Sequence, residues 1–396
     1  MPWKETQMIN ERTEFALKSI QPGINFSDLC TEYGISRRVG YKWKKRFLEE
    51  GAAGMSDLSR RPLSSPAGLN EAVICRIARL HQAHQFWGPK KIREVYARSY
   101  GEAPSQSSFK RIFEKSGWVK KRRRRAHADG GRLWSDRKAQ SCNEIWTVDF
   151  KGWWYTADGN RCEPLTVRDE YSRYLLEVRS MASACTQAVR EVFERLFKRH
   201  GLPAAIRSDN GPPFASSASV LGLSRLSAWW IVLGIDLERG RPGKPQDNGA
   251  HERMHRDIRR ELQCHACADA ASQQAAFDVW RETFNQERPH EALGMSTPAQ
   301  LYHNSDRVYT GTPCDLSYNG MITRKVMQCG RIRIEGIPIQ ISSSLSGWSV
   351  GLIPSQTGQY DVFFAKLRIG ELDLSSRHFL RASGPEEEPR SQKNAS

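Results

Sequence analysis

The sequence predicts a multidomain chain: an all-α amino-terminal third, an α/β middle and a carboxyl-terminal part built of short strands. Two changes of pattern carry that division. Helical apolar spacing dominates to about residue 116, β-rich runs begin at residue 143, and from Met321 onward the runs are short and separated by turn residues. At 396 residues the chain is also too long for one core, at roughly 150 residues per domain. Charge divides at nearly the same place. Residues 1–140 hold 29 Lys and Arg against 14 Asp and Glu, whereas the remainder holds 31 against 30. Such an excess on one portion marks a surface for nucleic acid or another polyanion. No apolar run reaches the roughly 20 residues of a bilayer span, and Met1-Pro2-Trp3-Lys4-Glu5 opens no apolar signal segment. Nine scattered cysteines suit a reducing compartment. The expected location is cytoplasmic, with no membrane partner.

Residues 12–50 read as three short helices. Residues 26–33 are followed by Gly34-Ile35-Ser36 and then by a periodic stretch over 37–49, which Ser36 is placed to cap. Val39, Trp43 and Phe47 recur four apart and predict a buried stripe, leaving Arg37, Arg38, Lys42 and Lys45 outside. A short helix, a glycine-containing turn and a basic second helix make the helix-turn-helix pattern, whose second helix enters the major groove. Ser59-Arg60-Arg61-Pro62 then opens a linker rich in Pro, Ser and Gly. A second helical unit follows over 69–85, 89–100 and 107–116, with Pro89 at a first helical position and Ser105 as a cap. Lys110 and Arg111 face outward on it. Lys120-Lys121-Arg122-Arg123-Arg124-Arg125 repel one another and form a linker for phosphates to order. The expected domains here are 1–64 and, with the basic linker, 65–126.

In the middle, residues 144–150, 162–168 and 174–178 read as strands and 186–200 as a helix stopped by Gly201-Leu202-Pro203. A strand at 204–207 ends in Ser208-Asp209-Asn210-Gly211, and a Gly/Pro-rich loop leads to a helix holding Glu252. Three strands, a helix, a strand and a helix is the order of a ribonuclease-H-like core. Its chemistry needs clustered carboxylates that bind hard divalent cations through oxygen. Asp149, Asp209 and Glu252 are separated by 60 and 43 residues and fall on a strand, a strand end and that helix. Two competing acids read otherwise. Asp158-Gly159 is a hairpin turn, and Asp169 begins the turn before Ser172-Arg173.

Trp146-Thr147-Val148-Asp149-Phe150, Ser208-Asp209-Asn210-Gly211-Pro212-Pro213-Phe214 and the block from Arg241 to Arg253 resemble the three motifs of bacterial insertion-sequence transposases with a retroviral-integrase-like DDE core. Arg288-Pro289-His290-Glu291-Ala292-Leu293 and Thr297-Pro298-Ala299-Gln300-Leu301-Tyr302 are similar to that family's post-core segment. The resemblance covers about residues 141–303, although the stretch from Asp209 to Glu252 is longer than the family's usual one. It implies a catalytic core over 141–304 with a trailing helix. Asp149 (bridging), Asp209 and Glu252 would be the catalytic residues and the ligands of two Mg²⁺ (or Mn²⁺) ions, which assist an in-line phosphodiester displacement. It further implies a polynucleotidyl transferase that cleaves and joins DNA strands. The partners would be double-stranded DNA, namely the element's terminal repeats and its target, and further copies of the chain in a homo-oligomer on DNA. Lys244 and Arg256 join the basic residues above as expected DNA contacts.

Two other readings are available. His251-Glu252-Arg253-Met254-His255 matches the H-E-x-x-H helix of zinc proteases, yet Arg253, Arg256, Arg259 and Arg260 make that helix better suited to phosphate. A non-enzymatic alternative is a domesticated DNA-binding regulator. Finally, strands at 325–328, 331–334, 337–341, 348–353 and 360–364 suggest a small SH3-like β-barrel over 306–384. Residues 385–396 read as a polar, disordered tail.

Overall fold

The computed structural model describes residues 5–59, 68–119, 137–217, 219–239, 249–311, 316, 318–356 and 358–382. Arg60, Arg61, Lys120 to Arg125, Lys244 and the tail expected at 385–396 lie outside them. The chain forms two compact units, Met1–Asn70 and Glu71–Ser396.

The first unit holds α1 (Glu5–Ser19), α2 (Phe26–Glu32) and α3 (Arg37–Glu50), closed by a 3₁₀ turn at Gly51–Met55. Gly34, at φ 63°, ends α2: its N–H reaches Thr31 O and the next, that of Ile35, reaches Cys30 O, the Schellman arrangement. Ser36 caps α3 by accepting the Val39 N–H, as expected. The buried stripe is displaced from the expected one. Trp43 is only 7% exposed and packs with Phe15, Leu29, Cys30 and Met55, but Val39 is 38% exposed. Gly40 takes the inward position instead, because α3 crosses α1 and α2 too closely for any side chain. A Cβ there would stand 2.7 Å from Cys30 Sγ and 3.0 Å from Phe15 Cζ. Gly40→Ala is therefore expected to destabilise this unit by about 1–3 kcal/mol, read as a lower thermal midpoint of its helical circular dichroism.

The second unit begins with α4 (Glu71–Ala83), α5 (Pro89–Tyr100) and α6 (Gln106–Lys115), packed around Ile77, Trp87, Ile92, Tyr96, Phe109 and Phe113. Pro89 opens α5, and Ser105 caps α6 through the Ser108 N–H. A mixed sheet follows, made of β1 (Ile145–Phe150), β4 (Leu165–Asp169), β5 (Leu175–Arg179), β6 (Ala205–Ser208) and β7 (Asp236–Arg239). The short hairpin β2 (Trp154–Tyr155) and β3 (Arg161–Cys162) stands apart from it. Strand order is β5-β4-β1-β6-β7, antiparallel through β1 and parallel from β1 to β7. Between β5 and β6 runs α7 (Thr186–His200), and between β6 and β7 runs α8 (Arg225–Val232). Phe193, Phe197, Trp229 and Trp230 of these helices cover one face of the sheet over Trp146, Val148 and Ile206. On the other face lie α9 (Gly249–Glu261) and α10 (Ala270–Gln286), with Met254, Ile258, Phe277 and Trp280 over Leu175 and Val178. This is the ribonuclease-H-like order with a helical layer on each face.

The competing acids are structural. Asp158 accepts from Thr156 Oγ1 and the Asn160 N–H in the β2–β3 turn, and buried Asp169 accepts the N–H groups of Asn143 and Ser172. After α11 (Pro298–Leu301), whose start is closed by a Thr297–Gln300 capping box, the chain becomes all-β. Its strands are β8 (Ile322–Lys325), β9 (Arg331–Ile334), β10 (Ile337–Gln340), β11 (Ser349–Gln356), β12 (Gln359–Phe364), β13 (Leu367–Asp373) and β14 (His378–Arg381). The expected β content is present, but closure into an SH3-like barrel is not seen among the described residues. The strands form an open antiparallel sheet, β14-β13-β12-β11-β8, while β9 and β10 make a separate hairpin. The strand expected at 325–328 lies three residues earlier. Gly330, at φ 80°, turns the chain there, and its N–H bonds Met327 O.

Candidate functional site

Parallel pairing of β1 with β6 aligns Thr147 with Arg207. Asp149 and Asp209, each two residues further on, therefore leave the same end of adjacent strands. This is the place where open α/β sheets present their ligand-binding groups. Arg207 anchors the second strand, its guanidinium bonding Glu238 at 2.6 and 2.9 Å and Glu170 at 2.7 Å. The Gly211 N–H bonds the Asp209 carboxylate, and a Cβ at Gly211 would stand 3.0 Å from Asp209 Oδ2. A side chain at that glycine would crowd the carboxylate.

The third acid arrives on α9. His251, Met254 and Ile258 form its buried stripe, which leaves Glu252 exposed in the first turn and Arg253, Arg256, Arg259 and Arg260 exposed beyond it. His255, one turn after Glu252, fixes the helix to the sheet. Its Nε2 is 2.9 Å from Thr166 Oγ1, which donates to Asp149 O at 2.9 Å, and its Nδ1 is 3.9 Å from Asp149 Oδ2. Burial, then Lys151 and Arg168, hold the His255 pKa down to about 3, so the ring beside Asp149 is neutral at physiological pH.

Asp149 senses the other two acids. Burial raises Asp149 to about 7, and the charges of Asp209 and Glu252 push in the same direction. Asp209 is also raised by burial, against the pull of the Gly211 N–H and the Arg239 guanidinium. Among the described residues no three His, Cys, Asp or Glu side chains stand close enough to enclose one ion. The donor chemistry nonetheless fits a hard divalent cation: carboxylate oxygens, two of them at one sheet end, with a repulsion on Asp149 that a cation would relieve.

Other expected residues are distributed as follows. Arg37, Arg38, Lys42 and Lys45 are exposed on α3, Lys110 and Arg111 on α6, and Arg256 on α9. Lys45 pairs with Glu49 and Lys110 with Glu114, both at 3.8 Å. The zinc-protease pattern finds no support in this geometry. His251 is fully buried, and the His255 Nε2 is engaged by Thr166. Thr166, His255, Gly211 and Arg239 were not singled out from sequence as neighbours of the acids. For His255 the signal existed, since a residue three after Glu252 shares its side of the helix.

A mixed α/β sheet that presents Asp149 and Asp209 at one end, preceded by basic helical units, has the layout of an integrase core behind helix-turn-helix domains. Family comparison agrees. Residues 139–245 and 233–298 match integrase core domains, residues 11–62 a helix-turn-helix domain, and residues 39–113 a homeodomain-like domain. Its relatives include proteins of bacterial insertion elements. It is 26% identical over 264 residues to an uncharacterized 31.7 kDa protein of insertion element IS407 from Burkholderia multivorans, covering 65% of this chain and 91% of that one. It is also 26% identical over 253 residues to a 39.2 kDa protein of insertion element IS476 from Xanthomonas euvesicatoria, covering 64% and 70%. Among solved structures, the HTLV-2 integrase catalytic core in complex with magnesium aligns at 19% identity and a TM-score of 0.33, over 42% of this chain and all of that one.

Proposed function

We propose that this chain is a transposase that binds the ends of a mobile DNA element, cleaves a strand there and transfers it into target DNA. The observation that carries the reading is that paired strands β1 and β6 deliver Asp149 and Asp209 at the same end, within reach of the charge of Glu252 on α9. These three residues would hold the divalent cations, Mg²⁺ or Mn²⁺ and two per site, which when bound supply Lewis acidity for phosphodiester displacement. Asp149 must be ionised to serve, so the cation and the working pH together set its state. Thr166, itself bonded to neutral His255, holds the Asp149 backbone. Exposed cations of α3, α6 and α9 contact phosphates and groove edges.

The proposed division of labour is end recognition by 1–64 and 65–126, chemistry by 141–304 and an accessory role for 306–384. The chain would work as a homo-oligomer on DNA. No helix among the described residues is long and apolar enough to cross a membrane, and the proposed location is the cytoplasm, at the nucleoid.

The test is joining of duplexes copied from the DNA flanking the gene to a target plasmid, with and without Mg²⁺. Metal-dependent joining supports the reading; metal-independent DNA binding with no joining favours the regulator. Replacing Arg38, Lys42 and Lys45 together with Ala is expected to weaken end binding and to reduce the slope of log affinity against log salt by about 2–3. The thermal melt should stay close to wild type, because all three are exposed. Unaltered binding and slope would show that α3 is not the reader.

A further inference from the structure

A cavity of about 60 Å³, lined by none of the three acids, opens where α5, the β4–β5 turn, α9 and the segment after α10 meet. Five cations line it: Lys91, Arg168, Arg173, Arg253 and Arg288. Arg168 is 4% exposed and Arg288 6%. The Nε of each is buried without a hydrogen-bond partner among the described residues, and so is the Nε2 of His290 in the same wall. The acids present do not answer these groups. Asp257 is taken by the other end of the Arg288 guanidinium, and Glu291 lies 3.3 Å from Lys90 Nζ.

A buried guanidinium nitrogen left unpaired is costly, and five like charges around so small a space repel. The Lys91 ammonium registers the excess. Burial, with Arg288 and Arg253, holds it down to about 8, only partly opposed by Asp257 and Glu261. A compact oxyanion with several acceptor oxygens answers every one of these groups at once, and guanidinium forks match phosphate geometry. We infer that this cavity binds a phosphate group and thereby ties α5 of the second helical unit to α9 of the core. The group arrives either as free inorganic phosphate or as a backbone phosphate of DNA entering past exposed Arg253.

Two titrations on the full-length chain separate the sources. Inorganic phosphate is titrated by calorimetry against sodium chloride of equal ionic strength, and a fluorescent 30-base-pair duplex is titrated across a salt series. Lys91→Gln and Arg253→Gln are compared with wild type; both lie nearer the mouth than Arg168, whose loss endangers folding. If free phosphate is the ligand, wild type shows saturable heat and each variant weakens it at least tenfold. If a DNA phosphate is the ligand, the phosphate heat is absent, and each variant weakens the duplex with a salt slope smaller by about one. Lys91→Gln should also melt higher than wild type in phosphate-free buffer, since it removes an uncompensated buried charge. Wild-type behaviour of both variants in both titrations overturns the assignment. The phosphate titration needs neither divalent metal nor strand transfer, so it stands or falls apart from the transposase reading.

Discussion

Strand transfer by the full-length chain is expected to fall about a thousandfold or more when Asp149, Asp209 or Glu252 is replaced by its amide, with duplex binding near wild type. Each amide keeps the volume of the acid and removes one anionic oxygen donor from the proposed site, and hard divalent cations demand such donors. Several kcal/mol of transition-state stabilisation rest on metal-assisted displacement, and each 1.36 kcal/mol is tenfold in rate, so about 4 kcal/mol gives the thousandfold figure. Binding should survive because it is assigned to exposed cations on α3, α6 and α9, none of which contacts these acids in the described hydrogen bonds. Asp158→Asn is the control acid. Its carboxylate only closes the β2–β3 turn, so joining should be unchanged. Quantifying Mg²⁺-dependent joined product for the four variants decides the matter, and a Glu252→Gln variant with full joining would sink the assignment of the three acids.

Much of the core was legible because local rules and tertiary packing agree there. The helix at 186–200 and the cap at Ser36 follow from spacing and stop signals that nothing in the fold opposes. The same holds for Pro89 at the start of α5. Where they disagree, packing prevails. Val39 has the right period to be buried, yet the close approach of α1 and α2 admits only a glycine and turns α3 by one residue. The segment between Asp209 and α9 was read mainly as extra length. It contains α8, whose Trp229 and Trp230 are buried in the main core, and Val220 and Leu223, which join the carboxyl-terminal strands in a second cluster. Its run Ala228-Trp229-Trp230-Ile231-Val232 is apolar on every side, so periodicity could not distinguish helix from strand. Strands β13 and β14 were missed for the opposite reason. They are interrupted by Gly370 and by charged residues, and only pairing with their neighbours defines them.

For the site, the turn readings of Asp158 and Asp169 hold in the structure, and they leave Asp149, Asp209 and Glu252 as the candidates. Their surroundings were not legible. The contact of His255 with Thr166 spans 89 residues, and that of Arg288 with Asp257 joins α9 to the segment after α10. Such contacts depend on how α9 lies across the sheet, and no local rule states that.

Asp149→Asn is expected to make the metal-free protein more stable at alkaline pH while abolishing joining. The carboxyl is raised from an ordinary 3.8 to about 7 in the folded chain. Below about pH 3.8 both folded and unfolded chains hold this proton, and the group costs nothing. Between there and about 7 the unfolded chain has released the proton while the folded chain keeps it. Stability therefore falls with rising pH by about 1.4 kcal/mol per pH unit at most, and is level above 7. The full interval amounts to at most about 4 kcal/mol. An amide carries no charge to bury, so the variant should unfold several degrees higher than wild type at pH 8 in a chelator, with the difference vanishing near pH 4. Adding Mg²⁺ at pH 8 should raise the wild-type midpoint through linkage and leave the amide nearly unmoved. Thermal midpoints of both proteins across pH 4 to 8, with and without Mg²⁺, measure this directly. A less stable amide at pH 8 would mean that burial does not raise the Asp149 carboxyl, and an equal response of the two proteins to Mg²⁺ would mean that Asp149 is not a ligand.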